Sequence, residues 1–254
     1  MSFIEGLTEI VLTLQEKLGP GAVLVNAPAV ALTRKSEGDR AVYEVSFEKN
    51  GVRQGITADL VVLAIPAYDG STLMEKLDPA VAAALRSIPY AGMAVVHVGY
   101  AESDMPAPLD GFGFLIPGSE KRAILGGLWA SSIFAGRAPG GKVLITTMMG
   151  GAKDPGIRKR SEAELVATAR AELRHTMGIT AEPGYVKVLR WDNAIPQYLP
   201  GHLNVVDDIE RRFAAGHPGL FLTGNAFRGI SVNDCVGSGQ KVAAAGVEYL
   251  RKLG

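Results

Sequence analysis

The chain has 254 residues, with 26 basic and 26 acidic side chains and therefore no net charge. With 47% hydrophobic residues it has an ordinary globular composition, long enough for one large or two small domains with a substantial core. The balanced charge argues against a nucleic-acid partner. The one cysteine, Cys235, allows no intrachain disulfide and fits a reducing compartment. No apolar run approaches the roughly 18–20 residues of a membrane-spanning helix, and no basic region precedes a long apolar core as in a signal peptide. The expectation is a cytoplasmic protein. Peripheral contact with the inner face of the cell membrane stays open, because amphipathic contact needs no spanning segment.

From the amino terminus, residues 2–18 carry apolar side chains at Ile4, Leu7, Ile10, Val11, Leu14 and Leu18, a helical spacing. Ser2 and Glu5 form a capping box at its start, and Gly19, Pro20 and Gly21 end it. Strand-like runs follow at 22–25, 29–34 and 42–48, with Gly38-Asp39 and Asn50-Gly51 supplying turn chemistry. Residues 60–65, LVVLAI, read as a strand buried on both faces and ending at Pro66. A short helix is predicted over 78–85, opened by Asp78-Pro79. Strands are predicted at 93–98, 111–116, 123–129 and 143–149, the second and fourth in glycine-rich surroundings where backbone can approach a ligand. Residues 161–177 read as an amphipathic helix with Ser161 and Glu164 in capping-box spacing. Strands at 185–190 and 220–223 and a helix over 234–250 complete the chain. The alternation predicts an α/β or α+β fold with mixed sheets.

Two segments carry chemistry. In LFLTGNAFRGISVNDCVGSG, residues 220–239, an apolar strand runs into Gly224-Asn225, a loop with Arg228-Gly229 follows, and a helix begins near Asn233-Asp234. A strand end leading to a helix amino terminus exposes unpaired N–H groups and the positive end of the helix dipole, and glycines let that backbone approach a ligand. The same residues also suit a plain strand–loop–helix connection. In RWDNAIPQYLPGH, residues 190–202, Trp191 could stack on a flat heteroaromatic ring or serve as a packing residue. The histidines at 97, 175, 202 and 217 show no metal-ligand spacing, so no metal site is expected. His97, in an apolar run, reads as a satisfied core or face histidine. No Gly-x-Ser-x-Gly elbow or phosphate loop occurs, and Cys235 reads as a small packing residue.

Together, RW..AIPQY..GH at 190–202 and TGN..RG.SVNDC..SG at 223–239 resemble the protoporphyrinogen oxidases, a branch of the amine-oxidase-like flavoproteins. SFIEGLTEIVLTLQEKLG at the start, LVVLAIPAYDGSTLMEKLDP, GFGFLIP at 111–117 and TTMMGG at 146–151 fit the same family. The resemblance implies FAD as cofactor and protoporphyrinogen IX or coproporphyrinogen III as substrate, in haem biosynthesis. It implies that the chain corresponds to the family's carboxy-terminal half, since the G-x-G-x-x-G unit that holds the ADP part of FAD does not occur in it. Residues 1–70 and 215–254 then form the rest of an FAD-binding domain, and 71–214 a substrate-binding domain. By resemblance, Val30 falls at the adenine, Gly224 and Asn225 near the ribityl chain and pyrophosphate, and Trp191, Ser231, Val232 and Asn233 around the isoalloxazine. Leu115, Leu128 and Met148 correspond to apolar residues that sandwich the tetrapyrrole; the third is often aromatic in relatives, and methionine can also pack on a flat ring. No general base is indicated. An amino-terminal half and a homo-oligomer are the partners this implies. The alternatives are a non-catalytic flavoprotein fragment or subunit, and another amine-oxidase-like flavoenzyme.

Overall fold

The computed structural model describes residues 3, 5–37 and 40–254. In chain order the elements are α1 (Thr8–Leu18), β1 (Ala29–Glu37), β2 (Arg40–Lys49), β3 (Val52–Ala58), β4 (Val61–Leu63), α2 (Ala67–Met74), α3 (Pro79–Arg86), β5 (Tyr90–Ala101), β6 (Gly113–Leu115) and β7 (Gly126–Trp129). They continue with α4 (Ala130–Ile133), β8 (Lys142–Gly150), α5 (Glu162–Met177), β9 (Tyr185–Pro196), α6 (His202–Gly216), β10 (Leu220–Leu222) and α7 (Val232–Leu253). The combination of helices and sheets agrees with the α/β or α+β class expected, although the described antiparallel pairs and the parallel pair β4–β10 lie in separate sheets rather than in mixed ones. The chain falls into two compact units, residues 1–22 with 90–195 and residues 23–89 with 196–254. Cuts at 70/71 and 214/215 had been expected. The compact units differ from that division at 1–22, which group with 90–195, and at 71–89 and 196–214, which stay with the second unit, where α3 packs on α6 and α6 on β10.

The first unit is built on a five-stranded sheet in the order β6-β7-β8-β5-β9. Strand alternation turns Ala94, Val96 and Val98 of β5 and Val143, Ile145 and Met149 of β8 to one side. There they form the core with Leu165, Ala169 and Leu173 of α5. Helix α5 starts where expected: Ser161 Oγ accepts the Glu164 N–H, Glu164 reaches back to the Ser161 N–H, and Gly178 at φ 71° ends the helix.

The second unit combines an antiparallel sheet β1-β2-β3 with the parallel pair β4 and β10. Asn50 and Gly51 both take positive φ, 53° and 74°, and close the β2–β3 hairpin with the turn chemistry their types favour. The Tyr43 hydroxyl donates to the Pro218 carbonyl at 2.9 Å, and burial pushes its pKa up to about 12. Asp78 caps α3 through Oδ1, which accepts from the Ala80 and Val81 N–H groups, while Oδ2 accepts from His217 Nε2 at 3.1 Å.

Several local expectations need correction. The first helix begins at Thr8, not at residue 2; Ser2 and Ile4 of that expectation, and the Gly38-Asp39 turn, lie outside the described residues. Residues 22–25 form no strand, since Gly21 and Asn26 on either side both take positive φ. The run 60–65 contributes three strand residues, paired on one side only, and Val62 is 38% exposed, so this strand is not buried on both faces. The last helix begins two residues earlier than expected, at Val232, and its cap is Ser231. No described helix is long and apolar enough to cross a membrane.

Candidate functional site

In the first unit, the sheet face turned away from α5 collects the predicted apolar trio. Leu115 pairs with Gly126, Gly126 with Met148 and Met148 with Val95; in the next row Gly113 pairs with Leu128, Leu128 with Thr146 and Thr146 with His97. Directly paired residues share a face, and so do residues two apart on one strand. Leu115, Leu128 and Met148 therefore stand on one surface. Leu115 is 77% exposed, and Leu128 and Met148 are half-buried. Glycines keep this patch flat. A Cβ at Gly126 would lie 2.3 Å from the Phe114 carbonyl oxygen, and one at Gly113 would lie 2.0 Å from that of Gly127.

Trp191 lies on β9, the strand next to β5, where Gly99 of β5 lies against Tyr185 and Gly92 against the Asp192 carbonyl. Trp191 is 47% exposed, so it is not a buried packing residue. Arg158 pins this end of β9: its Nε donates to the Asp192 carbonyl at 2.7 Å and Nη2 to the Tyr90 carbonyl at 2.7 Å.

His97 on this face was not singled out for function from the sequence. The alternation Met93, Val95, His97 could have placed it. Its Nδ1 lies 2.8 Å from Thr146 Oγ1. Burial, then the neighbouring Lys187 charge, holds its pKa below the ordinary histidine value.

In the second unit the two sequence motifs meet. The Tyr198 hydroxyl donates to the Asn225 carbonyl and accepts the Gly229 N–H, each at 2.9 Å. The Tyr198 ring stacks on His202 at 3.9 Å, and His202 Nε2 is 3.0 Å from the Phe227 carbonyl. From α6, Glu210 and Asp207 hold the Arg228 guanidinium at 2.5 and 2.6 Å, which raises its pKa further. The loop between β10 and α7 is thus fastened at Asn225, Phe227, Arg228 and Gly229. Gly229, at φ 146°, has no room for a side chain, because a Cβ would fall 2.3 Å from that of Asp234.

The predicted cofactor residues of this unit lie on that loop, on α7 and on β1. Gly224, at φ 128°, would place a Cβ in open space, so its backbone stands clear on that side. A capping box occupies the start of α7: Ser231 Oγ accepts the Asp234 N–H, and Asp234 accepts from Ser231. Asn233, expected near the cap, is the second helical residue. The N–H groups of Val232 and Asn233 have no partner among the described residues, and both side chains are exposed. Asp234, whose carboxyl is lowered by its bonds from Ser231, puts a negative charge into this turn. That charge offsets part of the helix dipole, so the free N–H groups matter more here than the dipole. Val30 sits in a bulge of β1, where the register shifts between Ala29 and Ala31, and is 39% exposed. Among the described residues no group of three or more histidine, cysteine or acidic side chains could hold a metal ion.

The chain is 32% identical over 260 residues to the chloroplastic protoporphyrinogen oxidase of Oryza sativa subsp. japonica, covering 99% of this chain and 48% of that one. It is 28% identical over 201 residues to coproporphyrinogen III oxidase of Bacillus subtilis, covering 79% and 42%. The chain thus spans about half the length of the curated relatives it matches. Among solved structures, a protein of Exiguobacterium sp. 255-15 provisionally assigned as a protoporphyrinogen oxidase superposes with a TM-score of 0.79 at 22% identity, over 97% of this chain and 52% of that one. Cyclohexylamine oxidase of Brevibacterium oxydans IH-35A gives 0.72 at 16% identity, over 97% and 53%. The profile described as flavin containing amine oxidoreductase matches residues 1–245, and the chain belongs to that FAD-using family.

Proposed function

We propose that this chain is the carboxy-terminal part of a flavin-dependent oxidase that converts a porphyrinogen, protoporphyrinogen IX or coproporphyrinogen III, to the porphyrin in haem biosynthesis, with oxygen as final acceptor. The observation that carries this reading is the gathering of Leu115, Leu128 and Met148, from three strands, on one glycine-flattened sheet face. Such a face suits a broad, flat, apolar ring better than a small amine.

Within each unit, features of the predicted cofactor residues support this reading. Gly224 offers close backbone approach, Val232 and Asn233 offer free N–H groups, the Val30 bulge leaves backbone outside the strand ladder, and Trp191 offers an exposed ring. FAD, when bound, supplies the acceptor for the hydrogens taken from the substrate. The chain's own part is to bind and orient. Leu115, Leu128 and Met148 hold the tetrapyrrole, Trp191 packs beside the isoalloxazine, and the loop fastened by Tyr198 fixes Asn225 and Gly224 along the cofactor.

An amino-terminal dinucleotide-binding half is the inferred partner. Support comes from β4 and β10, a parallel pair with no further strand on either outer edge among the described residues. Parallel strands normally sit inside larger, covered sheets. In the enzyme reconstituted with that half, Leu128→Asp is expected to lower kcat/KM by about tenfold or more, because a carboxylate would face an apolar ring. Unchanged kcat and KM would remove this face from the substrate site.

A further inference from the structure

The face that carries the apolar trio has one polar pair in its middle. His97 and Thr146 are paired residues of β5 and β8, in the same row as Leu128 and next to the row of Met148 and Val95. His97 Nδ1 meets Thr146 Oγ1 at 2.8 Å. Among the described residues Nε2 has no partner, and it is not among the enclosed polar atoms, so it opens outward from the sheet.

The centre of a porphyrinogen carries pyrrole N–H donors and no acceptor. Nε2 can accept from such a donor if Nδ1 carries the ring proton and donates it to Thr146 Oγ1. Thr146 then fixes the tautomer, as a second partner commonly does for a functional imidazole. The ring must also be neutral, and its burial together with the Lys187 charge favours that form. Lys187 is the charged neighbour that acts on His97. We propose that His97 is a substrate-binding residue whose Nε2 accepts a hydrogen bond from a pyrrole N–H, setting where a tetrapyrrole lies over Leu128 and Met148. This rests on the reading of that face as the tetrapyrrole surface.

The test is an anaerobic titration of the full chain with coproporphyrinogen III, read by the ¹⁵N resonance of His97 Nε2 and by the dissociation constant. The ligand-free spectrum should show the Nδ1–H tautomer, and ligand should shift Nε2. His97→Ala should bind roughly tenfold more weakly, the loss of about one hydrogen bond. His97→Gln, which keeps an acceptor oxygen, should recover most of that loss. A wild-type chain whose binding falls with Leu128→Asp but not with His97→Ala, and whose Nε2 resonance stays fixed, would overturn the role of His97 and leave the face standing. A folded wild-type chain that binds no coproporphyrinogen would overturn both.

Discussion

Removing the Tyr198 hydroxyl tests the link between the two motifs with the smallest change. Tyr198→Phe keeps the ring, and with it the 3.9 Å stack on His202. It deletes one bond donated to the Asn225 carbonyl and one accepted from the Gly229 N–H. A net hydrogen bond contributes about 0.5–1.5 kcal/mol, so two set an upper range of about 1–3 kcal/mol. Tyr198 is 37% exposed, and water can replace the hydroxyl, so about 1 kcal/mol is expected. Burial, outweighing the Gly229 N–H, holds the phenol pKa above its ordinary value, so the hydroxyl keeps its proton through neutral pH. The two tryptophans lie in the other unit, so their fluorescence is a poor reporter of this change. Native-state hydrogen exchange is the better assay, because the Gly229 amide loses its own acceptor. Its protection should fall about fivefold or more for 1 kcal/mol, while amides of α5 stay unchanged. Unaltered protection at Gly229 would refute the clamp.

Asp78→Ala should cost about 2–4 kcal/mol, combining a lost helix cap with a buried His217 left unpaired, measured by urea unfolding; Asp78→Asn should recover part of it. Burial pushes the Asp78 carboxyl upward, but the Val81 N–H, His217 and the Ala80 N–H together bring it below its ordinary value of 3.8. A depressed carboxyl stabilises the fold above its unfolded-state pKa, so this contribution is complete above about pH 4–5 and fades as pH falls through the folded-state value. The mutant should lose that acid-side slope. Gly113→Ala, at φ 119° with a Cβ 2.0 Å from the Gly127 carbonyl oxygen, should detach β6 from β7 and expose Phe114, seen as loss of exchange protection in both strands.

Local chemistry was readable from sequence where the partner lies within a few residues. The Ser161–Glu164 box, the Asp78 cap and the Asn50-Gly51 turn each depend on neighbours, and each forms as its residue types predict. Helix α6 went unread although Val206, Ile209 and Phe213, all buried, carry helical spacing, because charged residues crowd the segment and Pro200-Gly201 suggests a loop. The run 60–65 was over-read for the opposite reason. Hydrophobicity alone does not say how many strands flank a run, and β4 has one. At the site, alternation could place His97 on a face, but its partner Thr146 is 49 residues away. Tyr198 reaches 27 and 31 residues along the chain to Asn225 and Gly229, contacts that no local pattern encodes.

The central claim is that this chain carries the isoalloxazine side of a flavin site and the tetrapyrrole face, while a second half holds the ADP portion of the cofactor. A titration with FAD, followed by visible absorption and by retention of the flavin on gel filtration, tests it directly. The chain alone should retain little or no flavin, and the chain co-purified with the amino-terminal half should retain FAD at one per complex. Stoichiometric FAD held by this chain by itself, or a colourless complex of the two halves, would contradict the account.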